Sequence, residues 1–376
     1  MSNVKLKTLT AIHVGSGNIL QEGCDFVCGK DADGERIVGV ISPRKVLSLI
    51  GEDKIDAWTV AIENGRSTDD VVRQYSPRTN ISDYSLRIIN SYMGKNPQQV
   101  KEYIHDSIGR IYVPGSSIKG AIRTAVLSCL AGKMDERSLS SQIRARNGKV
   151  SAEEMEARLF GKGAQNDIFR FLTVGDAYFA NNETALYNMV NINERTEKGF
   201  WDMSKPMATE VVELDSEATF RLSLNKKYNE LVSSKESGVM PLPKEMASLK
   251  ALFSTVNEHT LKLLQEEISI WEEKDVDTES EEKVEDYIQQ ISQLSAIAEK
   301  CRNTSSCVMR IGHGSGWRFI TGAWTENAND VSWNSIVNAA RPKNAERYSE
   351  YDFPKSRRLD EDNCEPLGFV KLTLCD

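Results

Sequence analysis

The sequence has no stretch of about 18 or more apolar residues, the length a membrane-spanning helix needs. Its N-terminus, MSNVKLKTLTAIHVGSG, lacks the basic start, apolar middle and small-residue cleavage site of a signal peptide. A cytoplasmic location with no membrane partner is therefore expected. Histidine is scarce, at 4, and the 7 cysteines are scattered and odd in number, which fits a reducing compartment better than a disulfide framework. Cys24 and Cys28, and again Cys301 and Cys307, miss the C-x2-C spacing of a zinc site, so packed thiols are expected, with no metal and no cofactor. The P-loop pattern G-x-x-x-x-G-K-[ST] is absent, as are G-x-S-x-G, H-E-x-x-H and C-x-x-C.

Net positive charge is lacking as well. The formal charge of −8 argues against a general nucleic-acid coat, but its distribution is uneven. Residues 272–286, EEKDVDTESEEKVED, hold nine acids against two lysines, the composition of a solvated connection. Residues 110–170 hold eleven Lys or Arg against six acids, so an acidic chain can still own a basic face.

What is present is a 376-residue chain with 40% hydrophobic content, more than one compact core usually accommodates. VKLKTLTAIHVG alternates as a strand, and CDFVCGKDADGERIVGVIS reads as a hairpin turning at D-A-D-G. SPRKVLSLIG follows as a helix with Ser42 as N-cap and Pro43 first. Apolar spacing marks residues 51–108 as a mostly helical insertion. In GRIYVPGSSIKGAIRTAVLSCLAG a short strand and a turn precede a helix capped by Ser116 or Ser117 and stopped at Ala131–Gly132. FRFLTVGDAYFA reads as a buried strand turning at Gly175–Asp176, and residues 184–224 as strands with a long hairpin whose tip carries Arg195 and Lys198. Two amphipathic helices occupy 245–300, and PLGFVKLTLC closes the chain as a strand. Two sheet-containing halves, 1–200 and 201–376, are the economical division.

The candidate chemistry lies in glycine-rich segments. RIGHGSGWRFITG holds Arg310, Gly312, His313, Gly314, Ser315, Gly316, Trp317 and Arg318. Bare backbone lets amide N–H groups converge on an anion and lets an RNA chain approach, while the arginines offer phosphate contacts and Trp317 and Phe319 offer stacking. A tight turn with buried aromatics is the ordinary alternative. In SSIKGAIRTAV, Lys119 and Arg123 share a helix face near an N-terminus that attracts phosphate; a salt-bridged surface explains the same residues. His13 precedes a glycine turn, and with His313 or Tyr112 and Arg310 or Lys119 it offers a metal-free route for cleaving RNA. Asp25, Asp31 and Asp33 offer hard ligands for a divalent metal, although D-A-D-G is first a turn.

IHVGSG, IYVPGSSIKGAIRTAVL, RIGHGSGWRFITG and DFPKSRRL…PLGFVKLTL, taken together and in that order, resemble the RAMP superfamily of CRISPR-associated RNA-binding proteins, and within it the family of fifth Csm proteins of type III-A systems. That resemblance implies an α+β architecture of two RRM-like, ferredoxin-like RAMP domains with helical insertions and a projecting thumb hairpin, placed near Arg195. It implies a non-enzymatic subunit that caps the backbone filament near the 3′ end of the CRISPR RNA. Its expected partners are CRISPR RNA, other Csm backbone and small subunits, and nucleases acting during guide maturation. His13, Gly15, Ser16 and Gly17, then Ser116, Ser117, Lys119 and Arg123, then Arg310 and Gly312–Arg318 would face or shape the RNA channel. The superfamily also contains endoribonucleases that use a histidine, the alternative role for His13; an RNA-independent protein scaffold is the third reading.

Overall fold

The computed structural model describes residues 1–146, 149–151, 153–193, 200–340 and 353–375. Alternation decides the first strand: in β1 (Ser2–Thr8), Val4, Leu6 and Thr8 are buried, while Lys5 and Lys7 pair with Glu217 and Asp215. After His13 come β2 (Gly15–Gln21), β3 (Phe26–Lys30) and β4 (Arg36–Ile41). The expected hairpin joins β3 to β4, pairing Phe26 with Val40 and Lys30 with Arg36. Its turn uses one Asp31 carboxylate oxygen to accept from the Asp33 and Glu35 amides, both at 2.9 Å.

Helices α1 (Pro43–Ile50), α2 (Ile55–Glu63), α3 (Thr68–Tyr75) and α4 (Ile81–Tyr84) share a small core that includes Val46, Ile50, Val71, Val72 and Tyr84. Ser42 holds the N-cap position of α1 but makes no capping hydrogen bond; Pro43 supplies the preset helical φ. Helix does not continue to residue 108. Residues Ser85–Ser91 (β5) and Gln99–Tyr103 (β6) are strands that bury Ile89, Val100 and Tyr103.

β7 (Tyr112–Val113) leads through Pro114 into α5 (Gly115–Ala131), which buries Ile118, Ile122, Ala125 and Val126. Neither Ser116 nor Ser117 caps it. Pro114 stands at the N-cap, and the Asp176 carboxylate, distant in sequence, accepts from the Gly115 amide at 2.8 Å. Then follow α6 (Glu136–Ser140), β8 (Arg144–Arg146), β9 (Lys149–Ser151) and α7 (Glu153–Phe160), with β10 (Leu172–Val174) and β11 (Ala177–Phe179) flanking the expected Gly175–Asp176 turn. β12 (Ala185–Asn193) pairs antiparallel with β13 (Trp201–Val211); the tip with Arg195 and Lys198 lies outside the described residues.

β14 (Glu217–Leu224) and α8 (Lys226–Val232) precede the long helices α9 (Leu249–Glu272) and α10 (Glu281–Cys301). The Ser248 hydroxyl caps α9 by accepting from the Ala251 amide. Part of the acidic run is helix, since Glu281 and Glu282 occupy the first turn of α10, where carboxylates meet the positive end of the helix dipole. β15 (Ser306–Arg310), α11 (Asp330–Ala340), β16 (Ser356–Asp360) and β17 (Phe369–Cys375) complete an α+β fold.

Two large sheets organise it. One runs β15-β17-β1-β14-β11-β7, with β10 also on β14; the other runs β2-β6-β13-β12-β5-β4-β3, with β16 on β12. Helices α5 and α9 lie against the first sheet, where Val4, Leu6, Ile118, Val126, Phe220 and Phe253 share one core. Each such side chain contributes about 1.5–3 kcal/mol by burial. Among the described residues no helix is long and apolar enough to cross a membrane.

Candidate nucleic-acid interface

Strands β1 and β15 both pair antiparallel with β17, so they run parallel to each other, and the chain leaves both at the same end of the sheet. The two glycine-rich segments therefore emerge side by side. The His313 amide donates to the His13 carbonyl at 2.8 Å, while the Ile311 amide donates to Gly368 and the Gly368 amide to Ala11. Gly312 has a φ of +79°, and a Cβ there would lie 2.3 Å from the His13 carbonyl oxygen. Only glycine fits that approach. Gly15, Ser16, Gly17, Gly312 and Gly316 are exposed, and His313, Gly314 and Ser315 are half-buried. At Gly17, with φ +94°, nothing lies within 4 Å of a Cβ position, so this stretch presents bare backbone to solvent.

Beneath that surface sits a charge cluster that sequence reasoning missed. Glu210 is 0% exposed; its carboxylate accepts from the Tyr103 amide at 2.9 Å, the Thr184 hydroxyl at 2.8 Å and Arg87 at 3.1 Å. Arg87 also reaches Glu102 at 3.0 Å, and Glu102 accepts from the Ser16 hydroxyl at 2.9 Å and the Asn18 amide group at 2.8 Å. Burial pushes the Glu102 carboxyl up, but these hydrogen bonds outweigh it and hold it below the ordinary range. The exposed glycine strand is thus tied to a buried carboxylate through one arginine. The signal was a single carboxylate inside the apolar run MATEVV, a pattern that implies a paired buried charge.

His13 is 2% exposed, and its Nδ1–H donates to the Glu210 backbone carbonyl at 2.6 Å. Burial lowers its pKa, so the ring is neutral. Gly15 roofs it: a Cβ on Gly15 would lie 2.9 Å from His13 Nε2. This packing sets the ring beneath the surface rather than on it. His313 meets His13 edge-on, with ring centroids 5.8 Å apart, and the Lys101 ammonium donates to His313 Nε2 at 3.1 Å. Burial first, then the charges of Lys101 and Arg358, push His313 down to about 4. At neutral pH the positive charge at this corner therefore belongs to Lys101 and Arg358, neither of which the sequence singled out.

Arg310 is 8% exposed and faces inward. Its Nε donates to Leu367 O at 2.8 Å and its Nη2 to Gly314 O at 3.1 Å, with the guanidinium over the Phe369 and Phe319 rings at 4.8 and 5.2 Å. Burial pushes its pKa down to about 10. Arg310 braces the glycine loop from within. Arg318 lies 3.4 Å from Glu326, and Trp317 packs against Trp333 and Phe353.

Helix α5 meets the segment after the loop through Thr124, whose hydroxyl lies 3.2 Å from that of Thr321. Its basic pair turns elsewhere. Arg123 is held by Glu156 at 2.7 Å and Asp167 at 2.8 Å, over the Phe160 and Phe169 rings, and burial lowers the Lys119 pKa despite the Asp167 charge. Ser116 is exposed and Ser117 half-buried in the first turn of the same helix. The structure thus joins 13–17 to 312–316, while Lys119 and Arg123 face Asp167 on a separate element. Among the described residues no group of three or more His, Cys, Asp or Glu side chains is placed to hold a metal ion.

The sequence profile of the RAMP superfamily matches residues 5–319. The chain belongs to that superfamily. It is 29% identical over 206 residues to a CRISPR-system protein, Csm5, of Methanocaldococcus jannaschii, a match covering 52% of this chain and 47% of the relative. The matched region thus spans about half the length of that relative. Two solved structures share the fold. One is a chain of a Csm–crRNA–target RNA ternary complex from a type III-A CRISPR-Cas system, with a TM-score of 0.71, 21% identity and 100% of both chains covered. The other is T. onnurineus Csm5, with a TM-score of 0.62, 20% identity, 97% of this chain and 99% of that one. This RAMP protein resembles Csm5 of the type III-A Csm complex.

Proposed function

We propose that this RAMP protein is a non-enzymatic RNA-binding subunit of a type III-A Csm complex, in which it caps the backbone filament near the 3′ end of the CRISPR RNA. Guide maturation would then proceed through partner nucleases, and the immediate neighbours would be other Csm subunits. The observation that carries the reading is the joined surface of Gly15–Gly17 and Gly312–Gly316, bare backbone beside the Lys101 and Arg358 charges. Amide donors and two cations suit a phosphate chain and read no base, as a guide of any sequence requires. Membership in the superfamily and the fold shared with a chain of a crRNA-containing complex support it. The halves 1–200 and 201–376 are proposed as its two RAMP domains, with the hairpin between β12 and β13 as the thumb.

In this reading His13 is a packing residue beneath the strand, not a base. The test is RNA affinity of the assembled complex carrying Lys101→Glu together with Gly17→Asp, one at a half-buried and one at an exposed position. A loss of about tenfold or more, with assembly intact and the salt dependence shallower, is expected for removed phosphate contacts. Unchanged affinity and an unchanged salt slope contradict the reading.

A further inference from the structure

Helices α5 and α9 cover one face of the first sheet, where Val4, Leu6, Phe220 and Val113 are buried. Side chains alternate along a strand, so the other face receives Asn3 and Lys5 from β1 and Thr219 and Arg221 from β14. All four are exposed or half-buried. On the same face Tyr178 of β11 pairs with Thr219 on one side and with Tyr112 of β7 on the other. The Tyr112 and Tyr178 rings stack there, with centroids 5.4 Å apart and planes inclined by 22°.

The Arg110 guanidinium lies over Tyr178 at 4.4 Å, whereas among the described residues no second ring and no cation lies against Tyr112. The stack thus ends in an open aromatic face on an edge strand. Charge beside it favours an anionic guest. Lys5 and Lys7 are engaged by Glu217 and Asp215, and Arg110 by Asp106, but among the described residues no carboxylate pairs with Arg221. Arg221 stands diagonally across from Tyr178, a separation that long side chains still span. A protein partner would need an apolar centre, and around the rings this face offers the hydrogen-bonding side chains of Thr219 and Asn3 instead.

We propose that the Tyr112 ring is a stacking platform for one base of a single-stranded RNA, with Arg221 taking a phosphate of the same strand. Stacking accepts any base, so the platform adds affinity without sequence preference. Its place suits a strand that leaves the glycine surface. Gly15 pairs with Tyr103, and His105, just beyond Tyr103 in the chain, bridges to Ile111, the neighbour of Tyr112. The inference rests on the RNA reading above for the identity of the ligand and adds a second contact surface to it. The competing use of the rings is structural, a cross-strand pair that fastens the short strand β7 to β11. Leucine would serve that use, but it has no ring face.

The experiment is photo-crosslinking of the assembly loaded with a guide RNA whose spacer is entirely iodinated uridine, the modified peptides being sequenced and RNA affinity measured alongside. Tyr112 is expected among the crosslinked residues. Tyr112→Phe keeps the ring and is expected to keep both readouts. Tyr112→Leu keeps apolar packing, loses the ring and is expected to weaken binding about tenfold. Arg221→Glu changes an exposed side chain and is expected to make the salt dependence shallower, so the test stands even if Tyr112→Leu fails to fold. Crosslinks at the glycine segments without Tyr112, or wild-type affinity in both Tyr112→Leu and Arg221→Glu, overturn the platform and leave the RNA reading standing. Crosslinks at Tyr112 with neither glycine segment touched overturn the glycine surface and keep the platform. Shielding of Tyr112 from chemical labelling by a partner protein in an RNA-free assembly also overturns the proposal.

Discussion

One methyl group at position 312 tests the closest approach in the molecule. Gly312→Ala must hold a φ of +79° and displace a Cβ that would sit 2.3 Å from the His13 carbonyl oxygen. A loss of about 2–4 kcal/mol is expected from the left-handed backbone and the overlap together, read as a lowered midpoint in thermal unfolding. Glu365 gives a second residue-scale prediction, set by proton linkage. Burial pushes its carboxyl from 4.5 to about 7, against the Ala11 amide hydrogen bond. Between those values the folded protein keeps a proton that the unfolded chain has released, so stability falls as pH rises through the window and stays lower above it. Glu365→Gln removes the titration; it is expected to stabilise by about 1–3 kcal/mol at pH 8 and hardly at all near pH 4.5. The glycines were legible because their density has few structural uses. The inward turn of Arg310 was not, since the rings that receive it include Phe369, 59 positions away in the chain.

At the scale of elements, α5 shows what periodicity carries and what it leaves out. Its apolar spacing and the Ala131–Gly132 stop could be read directly, whereas its N-terminal partner, Asp176, comes from another part of the chain. The same limit governs Arg123, a helix-face cation that looked available and is closed by Glu156 and Asp167. Arg123→Ala leaves those two carboxylates facing each other and uncovers Phe160 and Phe169. Because the site is partly solvated, the expected cost is about 1–3 kcal/mol, checked by denaturant unfolding, with Arg123→Lys recovering part of it. Strands β5 and β6 were missed for a related reason. Their polar residues, such as Arg87 and Glu102, pair with each other across the sheet, so the alternation is written in charge as well as in hydrophobicity.

At the scale of the whole molecule, an acidic chain sets bare backbone beside two half-buried cations, Lys101 and Arg358, at one end of a sheet. The order of four short motifs was enough to identify the superfamily, because each is weak alone and specific in sequence with the others. That order said nothing of Lys101, Arg358 or Glu210, which reach the site only through the pairing of β6 with β2 and β13 and of β16 with β12. Binding by such a surface is electrostatic, so the logarithm of the affinity for single-stranded RNA is expected to fall linearly with the logarithm of salt concentration, with a slope whose magnitude drops by about one in Lys101→Glu.

The most direct test of this account is photo-crosslinking of RNA within the purified assembly, with the modified peptides sequenced. Crosslinks are expected in 15–18 and 312–318 together, with Lys101 beside them. RNA crosslinks elsewhere on the chain with neither glycine segment touched would contradict it.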